Sequence, residues 1–403
     1  MKKVENYIYF IFGLLPIFLV SGPFLTDFSV CVLVIFFVWY LIKESNYKFL
    51  NNNLFWFFLL FYVYLIISAS INYQNLVKYN FFFYLRFILF SFSICFFFIR
   101  DEKYIRILVY SLIALFFIIF LDVASNKFYQ EGILGVPTYS KYRISSFFYD
   151  ELILGSFLFR ALIILNPLYL YLYKGKKYLF FLMLINFLTI LCVLQSGERA
   201  ALFLMIIYFI LNIFILNFDI KKKITIFFSA LIILLSSIYF SPQIKNRFLE
   251  QTFLKVNFLE NHILLFKSAV NIGLDSPIIG SGYRSFQIKC SEEKYYINDS
   301  PQCSTHPHNT YIQLFAELGI IGVVFIFLFF SYFCWQYLKF FYLQIKKKLI
   351  KQNYLLLTIT GIIINFFPFT TTGNFFNNWL SFFYFFPIGL LIFFNQNIKI
   401  KNE

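Results

Sequence analysis

One stretch of the chain reads Cys303-Ser-Thr-His-Pro-His308-Asn309-Thr-Tyr-Ile-Gln313 and continues as Leu314-Phe-Ala-Glu317-Leu-Gly319-Ile-Ile-Gly322. It is a polar segment that is followed at once by a long apolar run. Proline is common at the first helical position, so Pro307 predicts a helix start with His308 in the first turn. The unpaired N–H groups of such a turn favour anions and disfavour protonation of a nearby imidazole. The stretch therefore indicates either an ordinary capped helix start or a neutral histidine that acts as a general base beside a phosphate.

The composition is typical of a membrane protein. Of the 403 residues, 61% are hydrophobic and 13% are charged, whereas soluble domains carry about 25% charged residues. We predict an all-α integral membrane protein with about 12 transmembrane helices in a single polytopic domain, 1–403. The apolar segments are 7–24, 26–42, 54–72, 80–99, 104–122, 151–173, 177–195, 199–219, 223–240, 314–338, 353–369 and 378–395.

The distribution of charge orients these segments. The N-terminal Met-Lys-Lys before an apolar run is interpreted as the start of an uncleaved first span. If this end lies in the cytoplasm, most of the 34 lysines and arginines fall in inner connections, as the positive-inside rule requires. The net charge of +15 then anchors the inner face, and no nucleic-acid partner is expected. The candidate chemistry falls outside, above all in one large loop, 241–313.

Two of the six cysteines, Cys290 and Cys303, lie in this predicted outer loop. The other four lie in apolar segments, where free cysteine behaves as a small apolar residue. If the outer side is an oxidising periplasm, a disulfide between Cys290 and Cys303 is expected. A zinc site of these cysteines with His306 and His308 is the alternative, although it lacks the usual paired-cysteine spacing. We expect neither a metal nor a cofactor.

Two arginines, Arg86 and Arg160, lie inside apolar segments. A charge at the centre of a bilayer costs about 2.5–3.5 kcal/mol on the mildest scale, so both side chains are expected to face the protein interior or a polar cavity. A structural ion pair explains Arg160 best. Arg86 either forms such a pair or binds a phosphate, and its candidate partners are Asp122, Asp150 and Glu151.

Arg199 begins the eighth apolar segment, beside the positive end of the predicted helix. The helix dipole disfavours a cation there. An anionic ligand would offset this cost, because arginine binds phosphate oxygens with two parallel hydrogen bonds. The alternative is that the side chain only extends to the membrane interface.

Three motifs occur in an order that is known from one family. They are Ser196-Gly197-Glu198-Arg199-Ala-Ala, then Ser276-Pro277-Ile-Ile-Gly280-Ser-Gly282-Tyr-Arg284-Ser-Phe286, then His308-Asn309 with Gly319 and Gly322 at fixed spacing. Together they resemble the bacterial O-antigen ligase/O-antigen polymerase superfamily, although Ala200 stands where a glycine is commoner. Gly319 and Gly322 are expected to permit close helix approach.

The resemblance implies a metal-independent, inverting glycosyltransferase of the GT-C type. Such an enzyme moves a glycan from undecaprenyl pyrophosphate to an acceptor sugar hydroxyl at the periplasmic face of the bacterial inner membrane. The acceptor is lipid A–core in ligation and a second glycan in polymerisation, and the sequence does not separate these two reactions. The other interpretations of the chain are a polytopic transporter or flippase for envelope glycolipids, and a non-catalytic membrane partner in envelope assembly.

The resemblance also assigns roles to individual residues. His308 would be the general base on the acceptor hydroxyl, and Arg199 would hold the pyrophosphate. The second basic residue of the family corresponds to His262, with Arg247 or Arg284 as alternatives. Further candidates for contacts to the substrate are Arg143, Arg86 and Asn309.

Overall fold

Fifteen α-helices follow one another in the part of the chain that the structure, a computed structural model, describes. The described residues are 2–75, 80–135, 140, 142–215, 220–254, 257–297, 301–346 and 353–402. The helices are α1 (Lys2–Val20), α2 (Pro23–Glu44), α3 (Asn53–Ile71), α4 (Leu85–Arg100), α5 (Lys103–Tyr129), α6 (Leu154–Leu172), α7 (Lys176–Ser196), α8 (Arg199–Ile215), α9 (Ile220–Phe240), α10 (Pro242–Lys245), α11 (Asn257–Asp275), α12 (Phe286–Lys289), α13 (Thr310–Ile345), α14 (Asn353–Asn365) and α15 (Asn378–Asn402). A π-helix, Asn246–Leu254, follows α10.

Twelve of these helices overlap the twelve apolar segments of the sequence. Among the described residues, nine helices are long and apolar enough to cross a membrane, and Arg199–Ile213 and Asn353–Asn365 are shorter apolar helices. The twelfth helix that overlaps an apolar segment is α9, and the structure does not describe all of its side chains. The protein is thus an all-helical integral membrane protein, whereas the count of twelve spans and the outer position of 241–313 stay predictions.

Two helices, α6 and α15, form the centre of the bundle and are the most buried of the nine candidate spans. Helix α6 packs against α14 and α7, and α15 packs against α4 and α14. A helix that is apolar on every face is stable only when neighbours or lipid surround it. Aromatic rings join these helices to α3 and α13, since Phe58 lies 5.1 Å from Phe329 and 5.2 Å from Phe385 between ring centroids.

Arg86 lies in the first turn of α4 and not in the middle of a span. Its Nε donates to Asp27 at 2.7 Å, and its Nη2 donates to Asn378 at 3.0 Å. These contacts join the N-terminal ends of α2, α4 and α15. The prediction of its partner was wrong, because the carboxylate beside the guanidinium is that of Asp27. Asp122, one of the predicted partners, instead accepts a hydrogen bond from Ser146. The predicted partners were Asp122, Asp150 and Glu151.

Helix α13 has a kink at Gly319, whose φ of 63° and ψ of −164° are not helical. The segment 276–282 crosses the helix at this point and forms three backbone hydrogen bonds with it. They run from Ser281 N to Ala316 O at 3.0 Å, from Gly282 N to Glu317 O at 2.9 Å, and from Ile320 N to Pro277 O at 2.8 Å. Gly319 was predicted to admit a neighbouring helix, but a loop makes the close approach.

The crossing leaves no space for a side chain. A Cβ atom on Gly319 would lie 2.3 Å from the carbonyl oxygen of Ile278, and one on Gly280 would lie 2.4 Å from the α13 backbone. Helix α3 supports the crossing from the other side, because the Ser68 hydroxyl donates to the carbonyl of Ile279 at 3.1 Å. Two of the three sequence motifs therefore meet here, and their contact sets the direction of the chain before α13.

Replacing Gly319 with alanine is expected to lower the free energy of unfolding by about 2–4 kcal/mol, because the variant adds a clash to an unfavourable positive φ. Thermal unfolding in detergent measures this loss. Gly135→Ala is the matched control, since Gly135 has a φ of 70° and nothing within 4 Å of its Cβ position. It should cost only about 1–2 kcal/mol. Equal melting temperatures of the two variants would contradict the structural role of the crossing.

Candidate active site

A cavity of about 1190 Å³ opens at the end of the bundle where several helices begin. Its walls include Pro23 at the start of α2, Ser156 in the first turn of α6, Arg199 at the start of α8 and Trp379 at the start of α15. His308, two residues before α13, also lines it. Helix N-termini carry partial positive charge and unpaired N–H groups. Their convergence makes this cavity favourable for an anion.

The charged side chains of the cavity are mainly basic. Three carboxylates line it, and two of them, Asp150 and Glu151, are exposed. Five arginines and three histidines line the same cavity. These are Arg143, Arg160, Arg199, Arg247, Arg284, His262, His306 and His308. Such an excess of guanidinium groups suits a ligand with several negative charges.

Three of the arginines surround the turn between α7 and α8. Arg143 Nε donates to the carbonyl of Ser196 at 3.2 Å, and Arg247 Nε donates to the carbonyl of Gly197 at 3.0 Å. Arg199 Nε and Nη2 donate to the carbonyl of Arg247 at 3.3 and 3.1 Å. Gly197 has a φ of 64°, and a Cβ there would lie 2.9 Å from Arg143 Cγ. The glycine therefore allows the three cations to gather around one turn.

Glu198, in the same turn, holds the start of α6. Its carboxylate accepts from the N–H of Gly155 at 2.5 Å, and from the N–H and the hydroxyl of Ser156 at 3.1 and 2.7 Å. Burial raises the pKa of Glu198, while the hydrogen bond from Ser156 and the charge of Arg143 oppose this rise. The carboxylate thus connects the arginine cluster to α6 and partly balances its charge.

The cations of this cluster also act on one another. Burial lowers the pKa of Arg143 and of Arg247, and the charge of Glu198 opposes the change at both. Arg247 lowers the pKa of Arg143 further, which is the effect of a like charge nearby. Arginine still stays protonated at neutral pH. An anionic ligand between these side chains would relieve their repulsion.

His306 is held in one orientation by both ring nitrogens. Its Nε2 lies 3.1 Å from the carbonyl oxygen of Thr372, and its Nδ1 lies 2.9 Å from the hydroxyl of Thr305. A carbonyl only accepts, so Nε2 carries the proton and Nδ1 accepts from the threonine. Burial is the main reason why the pKa of His306 falls to about 4. His306 is therefore a neutral, fully bonded residue that supports its neighbours.

His308 lies at the centre of the three histidines. Its ring centroid is 4.2 Å from that of His306 and 5.2 Å from that of His262. Its φ of 59° is in the left-handed region, which a non-glycine residue rarely adopts and which often marks a functional site. Its carbonyl accepts from the N–H of Thr372 at 2.9 Å. Burial and the neighbouring His262 lower the pKa of His308, so the ring is neutral and able to accept a proton near pH 7.

The helix after His308 begins later than the sequence predicts. Asn309 is its N-cap, because the side-chain Oδ1 accepts from the N–H groups of Tyr311 at 3.0 Å and Ile312 at 3.1 Å. The Nδ2 of Asn309 donates to the carbonyls of Pro368 and Thr370 at 2.8 and 3.2 Å. Proline was predicted to start the helix, but an asparagine that caps two N–H groups starts it three residues later. The amide of Asn309 has no hydrogen-bonding capacity left for a substrate.

A disulfide joins Cys290 to Cys303, five residues before His308. Cys290 is fully buried in a small apolar cluster formed by Ala269, Ile272, Phe286, Tyr295 and Ala316. Both sulfur atoms are used by this bond, so they do not serve as zinc ligands. Within the described ranges, no group of three or more His, Cys, Asp or Glu side chains has the geometry to hold a metal ion. The disulfide fixes the chain that leads to the histidines.

Replacing Cys303 with serine is expected to lower the free energy of unfolding by about 2–4 kcal/mol, because the closed loop of the unfolded state is lost. The variant should also carry a free thiol at Cys290, since the disulfide partner of that residue is gone. Thermal unfolding and mass spectrometry of alkylated thiols measure both effects. Cys334→Ser, at a cysteine without a disulfide in α13, is the control and should change neither. Two free thiols at 290 and 303 in native membranes would disprove the bridge.

The cavity brings together most of the candidate residues named from the sequence. Two predicted residues do not line it: Arg86, which pairs with Asp27, and Asn309, which caps α13. The lining candidates are Arg143, Arg199, Arg247, His262, Arg284 and His308.

Sequence reasoning missed one residue of this cavity and favoured a different role for another. Thr372 contacts both His306 and His308 and also lies 3.0 Å from the hydroxyl of Thr310, yet it sits in a polar turn without any recognisable pattern. Arg160 lines the cavity, although a structural ion pair had been the favoured explanation for it. The signal for Arg160 was its charge within an apolar segment, which indicates a polar cavity as readily as a pair.

Residues 180–327 match a family model that is described as O-Antigen ligase. This part of the chain is similar to the O-antigen ligase family. The matched range contains all three sequence motifs and includes Arg199, Arg247, His262, Arg284 and His308. Arg143 and Arg160 line the same cavity from outside this range. A comparison with curated proteins finds no match. The basic side chains of the cavity therefore come from the matched range together with α6 and the segment before it.

Proposed function

We propose that this protein is a metal-independent, inverting glycosyltransferase that moves a glycan from undecaprenyl pyrophosphate to an acceptor sugar hydroxyl. The acceptor is lipid A–core or a second glycan, and the reaction takes place at the periplasmic face of the bacterial inner membrane. The observation that carries the proposal is that Arg199 and His308 line one cavity. The match to the O-antigen ligase family supports the lipid-linked donor.

The arginine cluster supports the first part of this chemistry. When the bond between the sugar and the diphosphate breaks, both electrons of that bond leave with the diphosphate. Cations and helix N-termini that already point at the leaving group stabilise this charge without reorganisation. In our proposal Arg199, with Arg143 and Arg247 around the same turn, binds the diphosphate. An activated donor of this kind requires no nucleotide.

His308 supports the second part. The neutral imidazole takes the proton of the acceptor hydroxyl while the oxygen bonds to the anomeric carbon from the face opposite the diphosphate. The configuration at that carbon is thereby inverted. The proton passes from the imidazolium to the released diphosphate or to solvent, which restores His308. His262, whose ring is 5.2 Å away, disfavours the charged form of His308 and helps to keep it a base.

The apolar part of the cavity suits a lipid-linked donor. Ile17 and Leu19 of α1, with Leu115 and Ile118 of α5, line the same cavity as the arginines. A polyprenyl chain would bury apolar surface against these side chains while its diphosphate reaches the basic wall. This arrangement explains why an anion site and a membrane-spanning bundle occur in one protein.

Reconstitution in detergent tests the proposal. The purified protein is mixed with a polyprenyl-diphosphate-linked glycan and an acceptor glycan in EDTA, and the linkage of the product is determined by NMR. We expect transfer with inversion. A transporter or flippase would give no product, because detergent contains no bilayer to cross. Absence of transfer to every acceptor, with the donor bound and the protein folded, would end the proposal.

Deletion of the gene separates ligation from polymerisation. If the protein is a ligase, lipid A will lack all long chains and lipid-linked polymer will accumulate. If the protein is a polymerase, a single repeat unit will remain on the core. Unchanged surface glycans in the deletion strain would count against both reactions.

A further inference from the structure

Arg160 is a buried cation that has no matching anion among the residues that the structure describes. It lies in the second turn of α6, is 5% exposed and lines the basic cavity. Its Nη1 donates to the carbonyl of Ser156 at 3.4 Å, and its Nε has no hydrogen-bond partner. No carboxylate among the described residues forms an ion pair with it. The guanidinium therefore has hydrogen-bonding capacity and positive charge to offer to a ligand.

The carboxylate of Glu198 does not replace such a ligand for Arg160. Glu198 acts on it through charge, but the Glu198 carboxylate is engaged by Gly155 and Ser156 at the start of α6. A charge that is buried in a membrane-spanning helix without a partner is costly, and such residues usually mark the path of a substrate or ion. Since no structural ion pair explains Arg160, substrate binding is the function that would offset this cost.

The position of Arg160 along α6 distinguishes it from the other arginines. It follows Ser156 by one helical turn, so it lies about 6 Å deeper along the helix axis. Ser156 binds Glu198, which belongs to the same turn as Arg199 and interacts through charge with Arg143 of the cluster. The cavity therefore has two levels of cations, the arginine cluster near the start of α6 and Arg160 further into the bundle.

We propose that Arg160 binds the phosphate that is esterified to the lipid, while the cluster around Arg199 binds the phosphate that carries the sugar. This inference rests on the proposed function, because the donor supplies both phosphates. In a membrane-anchored diphosphate, the phosphate next to the lipid lies deeper than the phosphate next to the sugar. Two levels of cations match this order, and together they select a diphosphate over a monophosphate.

An acidic sugar is the other possible source of the anion. A sugar leads away from the lipid and towards the cavity rim, where the carboxylates of Asp150 and Glu151 are exposed. These carboxylates would repel a uronic acid. The depth of Arg160 therefore favours a phosphate over a carboxylate of the glycan.

Binding to the purified full chain tests the inference without turnover. The probes are farnesyl diphosphate, inorganic pyrophosphate and glucuronate, and their Kd values are measured for wild type and Arg160→Met. We expect the Kd of farnesyl diphosphate to rise roughly tenfold or more, as the loss of a charged hydrogen bond predicts. Inorganic pyrophosphate should lose less affinity, because without a lipid it can remain in the arginine cluster around Arg199. Glucuronate binding should not change.

Two controls separate binding from folding. Arg106→Met removes an arginine that pairs with Glu102 and does not line the cavity, and it should leave all three Kd values unchanged. Arg160→Lys keeps the charge but loses the planar guanidinium group. This variant should fold like the wild type and bind farnesyl diphosphate severalfold more weakly.

Equal farnesyl diphosphate affinities in wild type and Arg160→Met would overturn the inference. So would a change that is confined to glucuronate, because the anion would then belong to the glycan. A wild-type protein that binds the diphosphate but transfers no glycan would count against the proposed function alone.

Discussion

Replacing His308 with asparagine is expected to lower kcat/KM for glycan transfer by about 10²–10⁴-fold, which is the usual contribution of a general base. Asparagine is the informative replacement because it tolerates the left-handed backbone that His308 adopts at a φ of 59°. His308→Ala should lose the same activity but also add backbone strain. The measurement is the rate of product formation from a lipid-diphosphate-linked glycan at normal protein levels.

The comparison of the two variants separates base catalysis from folding. His308→Asn should melt close to the wild type, whereas His308→Ala should melt at a lower temperature. Near-normal transfer by a well-folded His308→Asn variant would exclude His308 as the base. A variant that binds the donor as tightly as the wild type while it transfers nothing would fit the assigned role.

The pH dependence of transfer follows from the same residue. His308 accepts a proton only when its ring is neutral, and burial lowers its pKa below the ordinary value of 6.5. Activity should therefore be complete at neutral pH and decline only as the pH falls through a value below 6.5. The measurement is kcat/KM against pH in the wild type. A decline that begins above pH 7 would contradict the neutral histidine.

The second large effect is expected from Arg199. Arg199→Ala should lower kcat by about 10²–10³-fold, because one preorganised group that stabilises the charge of the leaving diphosphate is removed. Arg199→Lys should recover only part of this loss, since an ammonium group cannot form two parallel hydrogen bonds to one phosphate. The measurement is single-turnover transfer with the donor in excess of its Kd.

The control variant for this second prediction replaces an arginine that lies outside the cavity. Arg106→Ala meets this need, because Arg106 pairs with Glu102 and does not line the cavity. It should leave kcat unchanged. Arg199 also contacts the carbonyl of Arg247, so thermal unfolding of each variant shows whether the π-helix region remains folded. Full activity of a folded Arg199→Ala protein would show that the cluster does not serve the leaving group.

Much of the bundle could be predicted from hydropathy. Twelve described helices coincide with the twelve apolar segments, because a run of about twenty apolar residues satisfies its backbone in a membrane only as a helix. The start of α13 was predicted less well. Proline signals a possible helix start, but capping decides it, and Asn309 caps where Pro307 had been expected to begin.

The partner of Arg86 shows a different limit. The sequence indicates that a buried arginine needs a carboxylate or an anion, but it does not tell which carboxylate lies nearby. Asp27 is 59 residues away along the chain and pairs with Arg86 because α2 and α4 begin at the same end of the bundle. Thr372 escaped notice for the same reason, since only the return of the chain between α14 and α15 brings it to His306 and His308.

By itself the sequence determined the class of protein and the residue types of its chemistry. Hydropathy specifies helices in a membrane, and the guanidinium of Arg199 and the imidazole of His308 stand out because so few polar groups accompany them. Only the tertiary structure decided that these side chains share one cavity, that Asn309 and Arg86 serve the fold, and that no described carboxylate pairs with Arg160. The physical reason is that hydropathy is a local property of the chain, whereas a site with several charges depends on distances between helices.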